Sequence, residues 1–186
     1  MTQQIPDQII YNDRQLGIDE IEGSGLFTPM DFGIECRSAT TACWRGYVMR
    51  YVITDDHLIL DSIWFKPKYL LPLEPPYRVP DIKDLPKVNG IEPVLTSRVI
   101  SPAMGFFFTH AYKNLNKITH FNGSISMFDK TSSQLVLKKF YFEDGIIVNF
   151  KRESLGPAEP EPTFESTKNE MLEELERLKR LQKGEE

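Results

Sequence analysis

The sequence is poor in the residues from which metal sites and thiol-based catalytic sites are built. It contains two cysteines, Cys36 and Cys43, and three histidines, His57, His110 and His120. Six residues lie between the cysteines, whereas paired zinc ligands are usually separated by about two to four. We therefore predict neither a metal nor a cofactor. A Cys–His nucleophile pair stays open, because a sequence does not show which side chains lie side by side.

Long apolar runs and a basic leader are also missing. The first residues, Met1 to Asp7, contain no basic stretch followed by an apolar one, as a secretory signal would. Nowhere do ~18 apolar residues follow one another, the minimum for a membrane-spanning helix. We therefore expect a cytoplasmic protein that does not bind a membrane and whose thiols are reduced.

The sequence has fewer basic than acidic residues. Lys and Arg number 22 against 27 Asp and Glu, which gives a formal net charge of -5. A nucleic-acid binder needs clustered Lys and Arg to neutralise phosphates, so nucleic acid is not an expected partner. An acidic balance is common because it keeps protein molecules apart in solution. The alternative is an acidic mimic that covers a basic surface of a partner.

What the sequence has instead is the period-2 alternation of β-strands. Residues 44–53 and 57–65 alternate around an Asp-Asp turn and predict one hairpin. Residues 134–142 and 146–150 alternate around an Asp-Gly turn and predict another. Asp-Gly accepts the positive φ angles of a type I′ turn, whose twist matches that of the paired strands.

Weaker signals extend this β pattern over most of the chain. Residues 118–128 have strand character, and residues 11–14 and 88–91 have the composition of turns between short strands. The prediction is a mainly β body over residues 1–152, folded as an antiparallel barrel or sandwich.

The first hairpin, residues 44–65, also aligns with residues 121–142. At a shift of 77 residues without a gap, Gly46 falls on Gly123, and apolar or aromatic character is kept at several positions on either side. This similarity predicts that the β body consists of two similar halves, residues 1–77 and 78–152. The alternative is that two amphipathic hairpins share their hydrophobic spacing by chance.

Two proline-rich segments occur, one between these halves and one after the β body. Residues 66–93 hold seven prolines, too many for a regular strand or helix because each removes a backbone donor. An extended crossover on the surface is expected there. Residues 153–165 combine proline with glutamate and predict an acidic tether.

The last part of the chain has the pattern of an amphipathic helix. Residues 166–183 begin with a capping-box spacing from Thr167 to Glu170. A lone helix of this length is only marginally stable in water, so its apolar stripe is expected to pack on the β body, on a second copy or on another protein. The stripe consists of Met171, Leu172, Leu175, Leu178 and Leu181.

The stretch from Trp44 to Tyr51 concentrates the side chains that dominate binding hot spots. Arg45 and Tyr47 are expected to share a face, where a guanidinium can stack on a ring or hold an anion. Gly46 in mid-strand would leave room for the Trp44 ring. The preferred interpretation is a core strand in which Arg45 pairs with an internal acid. The functional alternative is a recognition surface for a ligand or partner, formed by Trp44, Arg45, Tyr47, Arg50 and Tyr51.

The same stretch carries a resemblance. The segment Thr41-Ala42-Cys43-Trp44-Arg45-Gly46-Tyr47, followed by a turn and His57-Leu58-Ile59-Leu60, resembles a Trp-Arg-Gly-Tyr strand motif of small bacterial proteins that have no assigned activity. Residues 112–116 and 121–125 are similar to the second half of that group. The resemblance covers a minor part of the chain and implies a bacterial origin and a β-rich fold.

Together these features predict a protein-interaction module without turnover, a small cytosolic bacterial accessory, inhibitor or immunity-like protein. It would use a β surface and the C-terminal helix to bind a protein partner or a second copy. The alternative is a small-molecule-binding or enzymatic β-barrel, lined by the Arg45/Tyr47 face together with Phe106, Phe107 and Phe108. An arginine facing an enclosed apolar pocket would favour that alternative. An arginine exposed on a convex face, or neutralised by an acid in a filled core, would count against it.

Overall fold

A computed structural model describes residues 4–68, 81–96, 108–130 and 134–157. These residues form ten β-strands and two short 3-10 helices, Pro29–Phe32 and Ile82–Asp84. No helix in these ranges has the length and apolar composition needed to cross a membrane. The strands are β1 (Gln8–Tyr11), β2 (Arg14–Ser24), β3 (Tyr47–Thr54), β4 (His57–Phe65), β5 (Val94–Leu95), β6 (His110–Tyr112), β7 (Lys117–Ile118), β8 (Asn122–Lys130), β9 (Leu135–Glu143) and β10 (Ile146–Gly156).

Seven of these strands close into a barrel. Around the barrel their order is β10, β9, β8, β2, β1, β3 and β4, and the ring closes where Ile146 of β10 pairs with His57 of β4. The other three strands extend the sheet from β4, since β6 and β7 pair with β4 and β5 pairs with β6. The prediction of a mainly β body is confirmed.

One pair of neighbours departs from the predicted antiparallel sheet. β1 pairs with β3 in parallel, with Ile9 beside Tyr51, whereas the other described pairs are antiparallel. A parallel pair requires a long crossover, here residues 12–46, which contain β2 and the first 3-10 helix. The barrel is therefore mixed, because the neighbour of a strand depends on the path of the whole chain.

Positive φ angles at the tight turns set the register of the hairpins. Asp55 and Asp56, between β3 and β4, have φ values of 46° and 61°. Asp144 and Gly145, between β9 and β10, have 50° and 77°. These left-handed values are those of type I′ turns, which match the twist of paired strands. Both predicted hairpins are confirmed.

Apolar side chains fill the barrel. Met49 and Tyr51 of β3 are each 1% exposed and pack with Leu58 and Leu60 of β4 in the main core. The opposite face of β3 belongs to a second apolar cluster, which consists of Cys43, Val48, Trp64, Phe108 and Ala111. β3 is therefore buried on both faces, as the apolar residues on both sides of its alternation predicted.

The hairpins that align in the sequence are β3–β4 and β8–β9. Near their turns the registers correspond, because Tyr51 pairs with Leu60 and Phe128 pairs with Leu137. Their other neighbours differ, since β3 lies beside β1 in parallel and β8 lies beside β2 in antiparallel orientation. The internal duplication stays a prediction.

The boundaries of the later elements differ from those predicted. β8 begins at Asn122 and not at Ile118. β10 continues past Phe150 to Gly156, which pairs with Leu135 at the start of β9, so the first residues of the predicted tether continue the strand. Residues 69–80 of the predicted crossover and the predicted helix with its stripe, Met171 to Leu181, lie outside the described residues.

Candidate binding face around Trp44 and Arg45

Arg45 is held by an acid and by main-chain oxygens. Its Nη1 and Nη2 donate to the Asp7 carboxylate oxygens at 2.9 and 2.7 Å. Its Nε donates to the carbonyl oxygen of Tyr47 at 3.0 Å, and Nη2 also donates to that of Ile5 at 3.2 Å. The guanidinium carbon lies 4.9 Å from the centre of the Tyr47 ring. These bonds use all but one of the N–H groups of a guanidinium. Arg45 pairs with an acid, as the preferred interpretation expected, but it precedes β3 and does not belong to a core strand.

Asp7 ties the start of the chain to the start of β3. One of its oxygens also accepts the N–H of Met49 at 2.7 Å, and its side chain is 11% exposed. Burial raises the pKa of Asp7, whereas the Arg45 guanidinium and the Met49 N–H oppose that rise. The Asp7–Arg45 pair joins segments 38 residues apart.

Gly46 lies in a turn and not in mid-strand, which corrects the prediction from the alternation. Its φ is 75°, its N–H donates to the Cys43 carbonyl oxygen at 3.2 Å, and β3 begins one residue later at Tyr47. A side chain at this position would overlap the carbonyl oxygen of Arg37. The bare backbone therefore admits a neighbouring main chain and not the ring of Trp44.

The same turn presents Trp44 to solvent. The Trp44 side chain extends from this turn and the residue is 70% exposed. Its main-chain N–H donates to Gln4 Oε1 at 3.0 Å. On the next residue, Arg45 is fixed by Asp7. The contacts hold the main chain that carries Trp44, so the position of its Cα and Cβ is set before binding. A tryptophan side chain has only two rotatable bonds to order on binding, and tryptophan is among the residues most enriched in hot spots.

A groove of about 1260 Å³ lies beside Trp44 and Arg45. Its lining includes Ile21 of β2 and Phe128 of β8, which are 43% and 42% exposed. The lining also includes Asp19 of β2, which is exposed. Exposed apolar surface beside polar groups is typical of protein-binding sites.

Three of the predicted recognition residues, Tyr47, Arg50 and Tyr51, do not line this groove. Tyr47 is partly buried and packs against the main core. Arg50 donates to Asp61 from Nε and Nη2 at 3.0 and 2.7 Å, and its guanidinium lies 4.6 Å from the centre of the Trp64 ring. Tyr51 is 1% exposed, and its hydroxyl donates to the Phe27 carbonyl oxygen at 3.1 Å. These contacts stabilise the barrel, so the structure brings Trp44 and Arg45 to the groove and directs Arg50 and Tyr51 elsewhere.

The thiols have the properties of structural cysteines. Burial raises the pKa of Cys36 to about 12 and also raises that of Cys43, whereas a nucleophilic cysteine has a lowered pKa. In the described ranges no group of three or more metal-binding side chains occurs. Each histidine has a polar contact: His57 with Asp55, His110 with Thr109 and His120 with Asp144.

Comparison with known proteins found no relative. No protein-family model matches the chain, and no match occurs among the curated proteins or the solved structures. The functional argument therefore depends on the geometry of the groove.

Sequence reasoning missed the partners that complete this face. Asp7 and Gln4 lie 38 and 40 residues from the groups that they bind, and Phe128 comes from β8 in the distant half of the chain. One signal was available for Asp7, because an arginine predicted in a core requires a carboxylate. No local sequence signal indicates that β8, with Phe128, borders the turn that carries Trp44.

Proposed function

We propose that this protein is a non-enzymatic protein-interaction module that binds its partner in the groove beside Trp44. The observation that carries the proposal is the 70% exposure of Trp44 on a turn held by Gln4 and by the Asp7–Arg45 pair. A large aromatic side chain on a held main chain, beside exposed apolar surface, offers contact area at a low cost in conformational entropy.

The groove also indicates the chemistry of the partner. The charged residues of its lining are Asp7, Asp19 and Arg45. Asp7 and Arg45 neutralise each other at 2.7 Å, so Asp19 determines the sign of the charge that a partner meets. A partner segment with an apolar anchor for Trp44 and Phe128, and with a Lys or Arg near Asp19, fits this arrangement.

The contacts of this face support binding over catalysis. A catalytic acid or base must reach a proton of the substrate, whereas Asp7 is occupied by Arg45 and by a main-chain N–H. The alternative of a small-molecule-binding or enzymatic barrel required an arginine that faces an enclosed pocket, and the neutralised Arg45 does not support it. Of the phenylalanines in that alternative, Phe108 packs in the second apolar cluster, and Phe106 and Phe107 lie outside the described residues.

Trp44→Ala tests the proposal, with Met30→Ala as the matched control. Met30 is 65% exposed and does not belong to the groove lining. Wild type and both variants are immobilised and exposed to the same bacterial lysate, and the retained proteins are quantified by mass spectrometry. We expect one partner to be retained equally by wild type and Met30→Ala and to be depleted at least ~10-fold with Trp44→Ala.

The retained partner is then purified and titrated. Truncation of a hot-spot tryptophan costs ~2 kcal/mol or more, which corresponds to a rise in Kd of about 30-fold. Thermal unfolding of each variant shows whether the fold is intact. Equal retention of every partner by Trp44→Ala and by wild type would refute the proposed site.

A further inference from the structure

β10 carries a sheet edge that the barrel leaves open. The strand pairs with β9 from Ile146 to Gly156, with register shifts at Val148 and Leu155. On its other side it pairs with β4 at Ile146 beside His57, and the Ile147 N–H donates to the Asp56 carbonyl oxygen at 2.8 Å. Beyond that point, within the part of the chain that the structure describes, no strand pairs with the edge from residue 148 to residue 156.

The open part of β10 is also accessible from solvent. Every residue from 148 to 155 is exposed, and Val148, Phe150 and Leu155 are 52%, 39% and 47% exposed. The N–H and C=O groups of a free edge are a template for another strand, and long edges with apolar side chains are usually covered. This edge has the length and composition to accept a further strand.

We propose that this edge pairs with the same edge of a second copy of the chain. Two identical edges related by a twofold axis perpendicular to the sheet pair in antiparallel orientation, and residues that face each other lie on the same side of the sheet. When the axis passes through Arg152, Lys151 of each copy faces Glu153 of the other.

Charge selects this register. Symmetric registers centred on Lys151, Arg152 or Glu153 each place one like-charged pair on the axis. Only the register centred on Arg152 also places oppositely charged residues face to face. It does so in two pairs, because Lys151 of each copy faces Glu153 of the other. Opposite charges directly across a sheet stabilise pairing and like charges weaken it. This self-complementarity identifies a second copy as the occupant, since a twofold interface must be complementary to itself.

The edge and the groove beside Trp44 share no residue. The two proposals therefore concern separate sets of residues. Because the two surfaces are separate, failure of one proposal leaves the other standing.

Charge reversal tests the register. Sedimentation equilibrium is measured over a wide range of concentrations for wild type, Lys151→Glu, Glu153→Lys and the double variant. Each single variant makes both cross-strand pairs repulsive and is expected to raise the dimer Kd about 10-fold. The double variant restores both pairs with their charges exchanged, and its Kd is expected to return to within about 3-fold of wild type.

Lys87→Glu is the matched control for net charge. Lys87 is exposed and pairs with Glu92 at 2.9 Å, so the same charge change is made away from β10. We expect this variant to dimerise like wild type. A weakening equal to that of Lys151→Glu would assign the effect to net charge and overturn the proposed register.

Hydrogen exchange on the unmodified chain locates the interface without any substitution. Those amides between residues 148 and 155 that point away from β9 are expected to exchange more slowly at high protein concentration than at low, because strand addition gives them hydrogen-bond partners. A chain that is monomeric at every concentration would overturn the proposal, as would a dimer whose protected amides lie outside β10.

Discussion

Arg45→Ala isolates the contribution of the ion pair that positions the Trp44 turn. The substitution leaves the carboxylate of Asp7, whose side chain is 11% exposed, with the Met49 N–H as the partner that the structure shows. Removing one member of a buried ion pair costs about 3–5 kcal/mol. Arg45 is itself 34% exposed, so water can enter the vacated space, and we expect a loss at the lower end, about 3 kcal/mol. A loss of this size lowers Tm by roughly 10 °C.

The pH dependence identifies the cause of that loss. Burial raises the pKa of Asp7 above its ordinary value of 3.8, and the rise grows when Arg45 is absent. A carboxyl with a higher pKa in the folded than in the unfolded state binds a proton preferentially when folded. The free energy of unfolding therefore falls as the pH rises through the window above 3.8. We expect Arg45→Ala to cost less stability at about pH 4 than at about pH 8.

Urea unfolding of a double-mutant cycle measures the effect. Adding Asp7→Ala to Arg45→Ala removes the stranded carboxylate and is expected to recover about 1 kcal/mol or more. Arg45→Lys keeps the charge but loses the forked geometry, so its stability should fall between that of wild type and that of Arg45→Ala. A loss below ~0.5 kcal/mol for Arg45→Ala, or a loss that is unaffected by Asp7→Ala, would refute the reasoning.

Two further predictions compare matched positions. Gly46→Ala is expected to cost about 3 kcal/mol or more, because φ is 75° and the new Cβ meets a main-chain oxygen. Gly90→Ala, at a φ of 78° with open space around it, should cost about 1 kcal/mol; equal losses in thermal unfolding would contradict the steric argument. Lys138→Ala removes a 12% exposed partner of Asp129 at 2.6 Å and should cost about 2 kcal/mol. Lys139→Ala, at a more exposed pair on the same strand, should cost less in urea unfolding than Lys138→Ala, and the reverse order would show that burial does not govern these pairs.

Local chemistry determined which segments form hairpins. The Asp-Asp and Asp-Gly turns adopt positive φ angles, which these short polar residues and glycine accept at little cost. The alternation of apolar residues along β3, β4 and β9 then decides which side chains face the core. Both signals act between residues a few positions apart, so they can be predicted from the sequence.

The groove depends on neighbours that are remote in sequence, and the sequence did not indicate them. Trp44 alternates with Val48 as if both belonged to one strand face, yet Trp44 is 70% exposed and Val48 is buried. The difference arises at Gly46, where the main chain of Arg37 approaches too closely for a side chain and the backbone turns.

By itself the sequence determined the β composition, the two main hairpins, the type I′ turn at Asp-Gly and the two apolar faces of β3. Only the tertiary structure decided that β1 lies parallel beside β3, that Asp7 neutralises Arg45 across 38 residues, and that Ile21 and Phe128 border the Trp44 turn. The physical reason is the range of the interactions. Turn angles and alternation are properties of neighbouring residues, whereas strand neighbours and ion pairs depend on how the complete chain closes into a barrel.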